Sequence, residues 1–292
     1  MSTLHRYLDL NGLKIFYREA GRRDAPVLLL PHGYPCSSFQ YRRLLPALAD
    51  RWRLIAPDYP GFGYSETPDT NDFDYGFGAY ASFLEQFAGA LGLTRYALYL
   101  HDYGSWIGLR LAMRAPARVA ALIIQNGDIY QDAMGPKYAA IKRYWDDPSP
   151  TNHAVLEEAV SEHGFRDELI GETDERHAES MPPDLWKLHW PLMNTPVRRR
   201  ICVQLMEAIE ANVVDWFPRY QQYLREHRPP TLIVWGPRDG YMPEGSARAY
   251  LRDLPDAQLH LTDGGHWLLE SHFETVLPLI RDFLGRVHAA RN

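Results

Sequence analysis

The stretch Ala97-Leu-Tyr-Leu-His-Asp-Tyr-Gly-Ser-Trp-Ile-Gly108 decides the fold that this sequence predicts. Its first half is an apolar run, which is typical of a parallel strand that is buried on both faces. After His101-Asp-Tyr-Gly104 the apolar residues recur at the spacing of a helix. A strand that turns directly into a helix presents the residue at the turn on a sharp bend, and Asp102 stands at that bend.

Patterns of buried strands and amphipathic helices alternate on both sides of this stretch. The dipeptide Asn11-Gly12 predicts a tight hairpin within residues 4–19. Further strands are predicted at 27–30, 53–56, 119–124, 231–235 and 257–261, and helices at about 80–91, at about 243–254 and from about 274. This alternation predicts an α/β fold in which helices flank a mostly parallel central sheet.

The alternation stops between residues 128 and 230. This segment has no convincing strand pattern, is charged and rich in Trp and Tyr, and is broken by prolines such as Pro148, Pro182 and Pro218. Several short helices fit this composition best. We therefore predict that residues 1–127 form the first part of the core, 128–230 an inserted helical cap and 231–292 the second part of the core.

The composition favours a soluble, cytoplasmic protein that acts on a small molecule. The 292 residues carry a formal net charge of −6, and no block of Lys and Arg suggests nucleic acid or a membrane surface as a partner. No apolar run approaches the ~18 residues of a membrane span, and the first residues lack the apolar core of a signal peptide. Cys36 and Cys202 are too few for a disulfide framework and are expected to be buried. We expect a monomer or a homodimer.

Three reactive side chains, Asp102, Asp239 and His266, each follow a predicted strand. Because the carboxyl ends of parallel strands meet at one edge of a sheet, these side chains can converge there. Their order along the chain is nucleophile, acid and histidine. Two alternatives are weaker: Asp128 could replace Asp239 as the acid, and Ser105 could replace Asp102 as the nucleophile, although its neighbours two residues away are too bulky for such a bend.

These segments resemble the aspartate-nucleophile branch of the α/β-hydrolases, which comprises epoxide hydrolases and haloalkane dehalogenases. The matching motifs span nearly all of the chain outside the predicted cap. They are His32-Gly-Tyr-Pro35, Asp58-Tyr-Pro-Gly-Phe-Gly-Tyr-Ser65, His101-Asp-Tyr-Gly104, Trp235-Gly-Pro-Arg-Asp239 and Gly264-Gly-His266. The resemblance implies an α/β-hydrolase core with the cap above the active site. In some dehalogenases of this branch the triad acid stands where this chain has the neutral Asn126, which cannot serve.

The chemistry of the residues agrees with this resemblance. A carboxylate with a pKa near ~4 is already ionised at neutral pH, so Asp102 can attack an electrophilic carbon unaided and form an alkyl ester. His266 is then expected to activate the water that hydrolyses the ester, and Asp239 to orient His266. The backbone N–H groups of Tyr34 and Tyr103 are expected to form the oxyanion hole. No metal or cofactor is required.

The leaving group is harder to predict than the nucleophile. An epoxide oxygen needs a proton donor, which in the family is usually a cap tyrosine, whereas a halide needs only N–H donors. The family's dehalogenases carry a Trp after the nucleophile and often an Asn after the His-Gly; here these positions are Tyr103 and Tyr34, which favours an epoxide. Candidate residues in the cap are Tyr138, Tyr144, Tyr220 and Tyr223 as acids, and His189 and Trp190 as donors to a halide.

We therefore predict an enzyme similar to epoxide hydrolases. The first rival is a haloalkane or haloacid dehalogenase that uses the same triad. The second is a ligand-binding protein on a hydrolase scaffold, which the complete set of Asp102, Asp239 and His266 disfavours. Fold alone cannot separate these functions.

Overall fold

The computed structural model describes residues 2–170 and 175–290, which contain one eight-stranded sheet. Its order is β1-β2-β4-β3-β5-β6-β7-β8. The first two strands form the predicted hairpin, in which Asn11 and Gly12 both have positive φ angles; β2 is also antiparallel to β4, and all the remaining pairs are parallel. The strands are β1 (Leu4–Leu10), β2 (Leu13–Ala20), β3 (Val27–Leu29), β4 (Arg53–Pro57), β5 (Tyr96–His101), β6 (Val119–Gln125), β7 (Thr231–Trp235) and β8 (Gln258–Leu261).

Helices cover both faces of the sheet because successive side chains of a strand point to opposite faces. In β3, Leu28 packs into one apolar cluster while its neighbour Leu29 packs into the other. The first cluster includes α1 (Leu44–Leu48) and α14 (Phe273–Ala289), and the second includes α2 (Phe77–Ala90), α3 (Tyr103–Arg114) and α12 (Glu244–Ala249). The short α13 (Leu268–Ser271) precedes α14.

Among the described residues, the segment between β6 and β7 contains helices and no strand. We call it the helical insertion. Its α-helices are α4 (Ala139–Asp146), α5 (Pro150–Ala159), α6 (Glu162–Ile170), α7 (Glu175–Ser180), α8 (Asp184–Met193), α9 (Pro196–Glu207), α10 (Ile209–Ala211) and α11 (Phe217–His227), with a π-helix at Asn212–Trp216. The division at 127/128 and 230/231 stays a prediction, and residues 171–174 of the predicted cap lie outside the described residues.

Two predicted helices are shorter or split in the structure. The spacing of Tyr41, Leu44, Leu45 and Leu48 in the sequence also predicts a helix, which in the structure is a 3₁₀ turn at Ser38–Tyr41 followed by α1. The helix predicted at about 243–254 is α12 followed by a 3₁₀ turn at Tyr250–Arg252. Of the helices in the described ranges, none is both long and apolar enough to cross a lipid bilayer.

Candidate active site

Asp102 occupies the bend between β5 and α3, in a backbone conformation that few side chains adopt. Its φ angle is +51° and its ψ angle −135°. The bend lies tightly against the loop after β3: a Cβ atom on Gly104 would stand 2.4 Å from the Pro31 carbonyl oxygen, and one on Gly33 would stand 2.7 Å from Asp102 Cβ. Strained backbone of this kind persists only where the surroundings enforce it, and it is concentrated at functional sites.

The structure brings Asp102, Asp239 and His266 together at the carboxyl ends of their strands. His266 Nδ1 lies 2.6 Å from Asp239 Oδ2, and His266 Nε2 lies 3.6 Å from Asp102 Oδ2. The other oxygen of Asp239 accepts hydrogen bonds from the backbone N–H groups of Tyr241 and Met242, at 2.9 Å and 3.0 Å. All three triad side chains are buried. Asp239 is thus fixed on both oxygens, whereas His266 Nε2 faces Asp102.

Backbone N–H groups donate to the carboxylate of Asp102, and its Oδ2 faces the histidine. The N–H of Tyr34 donates to Asp102 Oδ1 at 2.6 Å, and the N–H of Tyr103 also donates to this carboxylate. The two N–H groups predicted to form the oxyanion hole therefore donate to the carboxylate of Asp102 itself. An ester formed on Oδ2 would leave Oδ1 as its carbonyl oxygen, already in contact with the Tyr34 N–H, a donor of the kind that stabilises a tetrahedral oxyanion.

The three triad groups shift one another's pKa values. Burial alone would raise the pKa of Asp239, but His266 and the hydrogen bond from Asn126 outweigh it and lower the pKa. Burial disfavours the His266 cation, yet Asp239 and Asp102 together raise its pKa to about 10. Burial raises the pKa of Asp102, opposed by His266 and the two backbone donors. Asp102 in its charged form is therefore one of the groups that keep His266 protonated.

Asn126, which the sequence excluded as the acid, contacts the acid directly. Its Nδ2 donates to Asp239 Oδ2 at 2.8 Å and to the Gly236 carbonyl at 3.0 Å, and its Oδ1 accepts the Gly236 N–H at 2.9 Å. Asp128 is buried beside the triad without bonding to His266; its Oδ1 lies 3.4 Å from the Tyr138 hydroxyl, and burial raises its pKa well above the usual range. Asp128 is therefore poorly suited to hold the imidazolium.

Ser105, the rival nucleophile, is fully buried in α3 and its hydroxyl has no hydrogen-bond partner among the described residues. Its backbone N–H donates to the Asp102 carbonyl at 2.9 Å, which closes the first turn of the helix. A hydroxyl without solvent access or a base cannot be activated as a nucleophile.

Three residues support the loop that carries His266. His101 donates through Nε2 to the His266 carbonyl at 3.1 Å, and Gln125 donates to the same carbonyl at 3.1 Å. Gln40 bonds His101 Nδ1 at 2.7 Å and accepts the Gly33 N–H at 3.1 Å. The loop of His266 is thereby tied to the loop that carries the Tyr34 donor. His101 therefore has a structural role, and Gln40 and Gln125 carry no motif that could have identified them.

A small cavity beside the nucleophile is lined mainly by aromatic and aliphatic side chains. Its volume is about 10 Å³, which is room for about one water molecule. The rings of Tyr34 and Tyr103 line it with their centroids 5.5 Å apart, and the Tyr34 hydroxyl is buried without a hydrogen-bond partner among the described residues. Two phenol rings are therefore part of a mainly apolar wall close to Asp102.

Most of the candidate tyrosines of the insertion lie against residues other than the triad. The Tyr220 hydroxyl accepts from Arg110 at 2.8 Å and donates to Asn212 at 3.0 Å. Tyr144 bonds Glu207 at 3.5 Å. Tyr223 packs on His227, and its hydroxyl is buried without a hydrogen-bond partner among the described residues. Burial and then Tyr96, at the end of β5 opposite to Asp102, raise the pKa of Tyr223. Of the tyrosines considered in this segment, Tyr138 is the one whose phenol lies within the electrostatic reach of Asp102.

The two candidate halide donors also have other contacts. His189 Nε2 lies 3.0 Å from the Ser37 hydroxyl, its Nδ1 bonds the Leu185 carbonyl, and burial lowers its pKa to about 4. Trp190 packs edge-on against Phe165 with ring centroids 5.6 Å apart. Within the ranges that the structure describes, no group of three or more His, Cys, Asp and Glu side chains could hold a metal ion.

Comparison with known proteins relates the chain to hydrolases. Residues 26–273 match the model of a family described as the alpha/beta hydrolase fold. An uncharacterized hydrolase of Saccharomyces cerevisiae is 30% identical over 280 residues, covering 93% of each chain. Haloalkane dehalogenase 2 of Mycobacterium bovis is 28% identical, covering 96% of this chain and 94% of its own. A solved haloalkane dehalogenase of Bradyrhizobium elkani has the same fold, with a TM-score of 0.79 at 22% identity, and the match covers 99% of this chain and 100% of that chain.

Proposed function

Because this chain belongs to the α/β-hydrolase fold family, we propose that it is an enzyme that hydrolyses small apolar epoxides to diols through an alkyl ester on Asp102. One observation carries the proposal. Asp102 Oδ1 accepts from the Tyr34 N–H at 2.6 Å, the Tyr103 N–H also donates to this carboxylate, and Oδ2 faces His266 at 3.6 Å. In this arrangement the oxyanion donors serve the enzyme's own carboxyl carbon rather than a carbonyl group of the substrate.

In the first step Oδ2 of Asp102 attacks a ring carbon of the epoxide. A C–O bond forms to the enzyme, the ring C–O bond breaks, and the leaving oxygen stays on the substrate and takes up a proton. A carboxylate whose pKa is raised by burial is a stronger nucleophile as long as it remains ionised, and the charge of His266 favours that ionised form. The Tyr103 and Tyr138 phenols lie within the electrostatic reach of Asp102, and the Tyr34 ring lies 5.5 Å from that of Tyr103, so these three phenols are the candidate donors.

In the second step water attacks the ester carbonyl while His266 takes its proton. A histidine with a pKa near 10 is a poor base at neutral pH. Esterification removes the negative charge of Asp102, which is one of the charges that raise this pKa. The pKa of His266 therefore falls when the ester forms, and the imidazolium releases its proton to solvent at the point in the cycle where a base is needed. The proton returns from solvent when Asp102 is again a carboxylate. Asp239 keeps the ring oriented through its 2.6 Å contact.

Dehalogenation is the second candidate, and the 28% identity to a haloalkane dehalogenase over nearly the whole chain supports it. The donors of the site favour the epoxide. The indole N–H of Trp106 donates to the Asp128 carbonyl and that of Trp267 to the Glu168 carbonyl, so neither is free to bind a halide. Phenols can instead transfer a proton, which an epoxide oxygen needs and a halide does not.

The experiment has two parts. Single turnover in ¹⁸O-water should place the label in the carboxylate of Asp102, because water attacks the ester carbonyl rather than the substrate. Asp102→Asn should lose diol formation, whereas Ser105→Ala should keep it; the opposite pattern would refute the ester mechanism. Matched panels of small epoxides and chloro- or bromoalkanes, followed by diol and halide release, decide the leaving group, and halide release alone would replace the epoxide proposal by dehalogenation.

A further inference from the structure

Glu168, in α6 of the helical insertion, lies next to the loops that carry His266 and Tyr34. Two contacts locate it. Its backbone carbonyl accepts the Trp267 indole N–H at 2.9 Å, and Trp267 directly follows His266 and packs against its ring. Phe165, one turn earlier on the same face of α6, packs edge-on against Tyr34 with ring centroids 6.0 Å apart. Glu168 is thus held between the histidine loop and the loop of the Tyr34 donor.

The Glu168 carboxyl interacts electrostatically with the side chains that take part in the proposed reaction. It is half-buried, and the described residues provide it with no hydrogen bond to a side chain. It acts electrostatically on the Tyr34 and Tyr103 phenols and on the His266 cation. Burial raises the pKa of Glu168 to about 7; Lys137 and His266 oppose this rise, and the carboxylates of Asp102 and Asp239 reinforce it. At neutral pH this carboxyl is therefore close to half protonated.

The buried phenols are weaker acids than this carboxyl. Burial raises the pKa of Tyr34, of Tyr103 and of Tyr138 well above the ordinary value of 10. A phenol with such a pKa remains a good hydrogen-bond donor, but its proton is released less readily than that of a carboxylic acid. The efficiency of a general acid is greatest when its pKa lies near the operating pH, and Glu168 meets this condition.

We propose that Glu168 is the acid that protonates the leaving oxygen, with the Tyr34 and Tyr103 phenols orienting that oxygen by hydrogen bonds. This inference rests on the proposed epoxide reaction. When Asp102 opens the ring, the proton of the Glu168 carboxylic acid passes to the leaving oxygen and Glu168 becomes a carboxylate. Hydrolysis with one water releases the diol and returns Asp102 first as a carboxylic acid, whose proton restores Glu168. The sum is epoxide plus water to diol.

The test measures ester formation on Asp102 by rapid quenching and mass spectrometry, in single turnover with a terminal alkyl epoxide, from about pH 5.5 to about 8.5 around the Glu168 value. In the wild type the rate constant should fall as the pH rises through about 7, because the acid form of Glu168 is lost. Glu168→Gln should slow ester formation at pH 6 by about 10²-fold and remove this alkaline limb. Glu162→Gln is the matched control, since Glu162 lies on the same helix and pairs with Lys187 at the surface.

The leaving group provides a second measurement that a purely structural role would not change. An epoxide whose leaving oxygen is made less basic by an electron-withdrawing neighbour needs less help from an acid. Glu168→Gln should therefore slow this epoxide much less than the alkyl epoxide, and Glu168→Asp should restore part of the lost rate.

The outcomes separate the two proposals. If the wild type forms an ester with epoxides and Glu168→Gln keeps the same rate and the same pH profile, the role of Glu168 is refuted and the proposed function stands. If Glu168→Gln slows both epoxides equally and the alkaline limb persists, Glu168 is structural and the inference is also refuted. If the wild type forms no ester with any epoxide, the proposed function itself fails.

Discussion

His266 stands between two carboxylates, 2.6 Å from Asp239 and 3.6 Å from Asp102. Their combined charge stabilises the imidazolium in the resting protein, and ester formation removes one of the two charges. In the proposed reaction the same side chain is first a cation that supports the ionised nucleophile and, after its proton has passed to solvent, a base that activates water. This change of role requires no movement, because the covalent step itself alters the field at the ring.

Replacing His266 should uncouple the two steps. In His266→Gln the attack of Asp102 on the substrate remains available, but no base activates water, so we expect the ester to accumulate and its hydrolysis to slow by about 10³-fold. Intact-protein mass spectrometry should show the protein carrying the mass of one substrate molecule, and peptide mapping should place it on Asp102.

His272→Gln is the control for this variant. His272 forms a comparable pair with a carboxylate, 2.8 Å from Asp263, but lies outside the triad. It should turn over substrate at the wild-type rate and accumulate no ester. If His266→Gln turned over without accumulating an ester, the assignment of His266 as the base for hydrolysis would be wrong.

Residue type and chain order predict which three side chains meet at the edge of the sheet, but they do not predict which side chains surround this triad. Asp102, Asp239 and His266 follow strands, so their convergence could be predicted from the rule for parallel sheets. An amide cannot act as the triad acid, and on this ground the sequence excludes Asn126. An amide can nevertheless position the acid, as the 2.8 Å hydrogen bond from Asn126 to Asp239 demonstrates. Glu168 lies in a helix whose orientation over the sheet has no sequence signature.

The strand–turn–helix element around Asp102 depends on close backbone approach at Gly104. The start of α3 lies against the loop after β3, and a methyl group at Gly104 would stand 2.4 Å from the Pro31 carbonyl oxygen and 2.9 Å from that of His32. Backbone atoms cannot rotate away as a flexible side chain can. The element that carries the nucleophile and the loop that carries the Tyr34 donor are therefore positioned by the same contact.

Gly104→Ala should push these two segments apart. We expect a loss of about 1–3 kcal/mol in the free energy of unfolding, as for overpacked sites, together with a loss of activity as the Tyr34 N–H moves away from Asp102. Denaturant unfolding and single-turnover ester formation measure the two effects. Gly89→Ala is the control: Gly89 lies in α2 with nothing within 4 Å of an added Cβ, so this change should stabilise the protein by about 0.5–1 kcal/mol. Wild-type stability and activity in Gly104→Ala would contradict the close-contact account.

The elements of the core were predictable because periodicity and burial agree in them. The all-apolar run at β6 is buried on both faces, and its bounds differ from the prediction by a single residue. The insertion was predictable as helical but not in its arrangement. Tyr220 illustrates the reason: its spacing allowed a role as an acid, yet its hydroxyl is bound to Arg110 of α3 and to Asn212 of the π-helix. Such long-range contacts leave no local pattern.

At the scale of the whole molecule, the triad couples folding to pH. The pKa of His266 is raised to about 10 in the folded state by Asp239 and Asp102, against an ordinary value of 6.5 for an unfolded chain. A group whose folded pKa is raised contributes stability that is complete below the unfolded pKa and is lost as the pH rises through the folded pKa. For His266 that window extends from about 6.5 to about 10.

We therefore expect the free energy of unfolding to fall across this window by an amount on the order of a few kcal/mol. Denaturant unfolding curves at about pH 6.5, 8 and 10 measure it, and the comparison with His266→Gln isolates the contribution of His266 from that of other groups that titrate in the same range. The variant should be less stable than the wild type at the lowest of these pH values, and the difference should shrink toward the highest. The reason is that the unfolded wild type loses the proton of its imidazole as the pH rises, while the folded protein still holds that proton. If the free energies of unfolding of the two proteins changed in parallel with pH over the whole range, the two carboxylates would not stabilise the imidazolium in the folded state. The proposed change of His266 from cation to base during the reaction would then lose its physical basis.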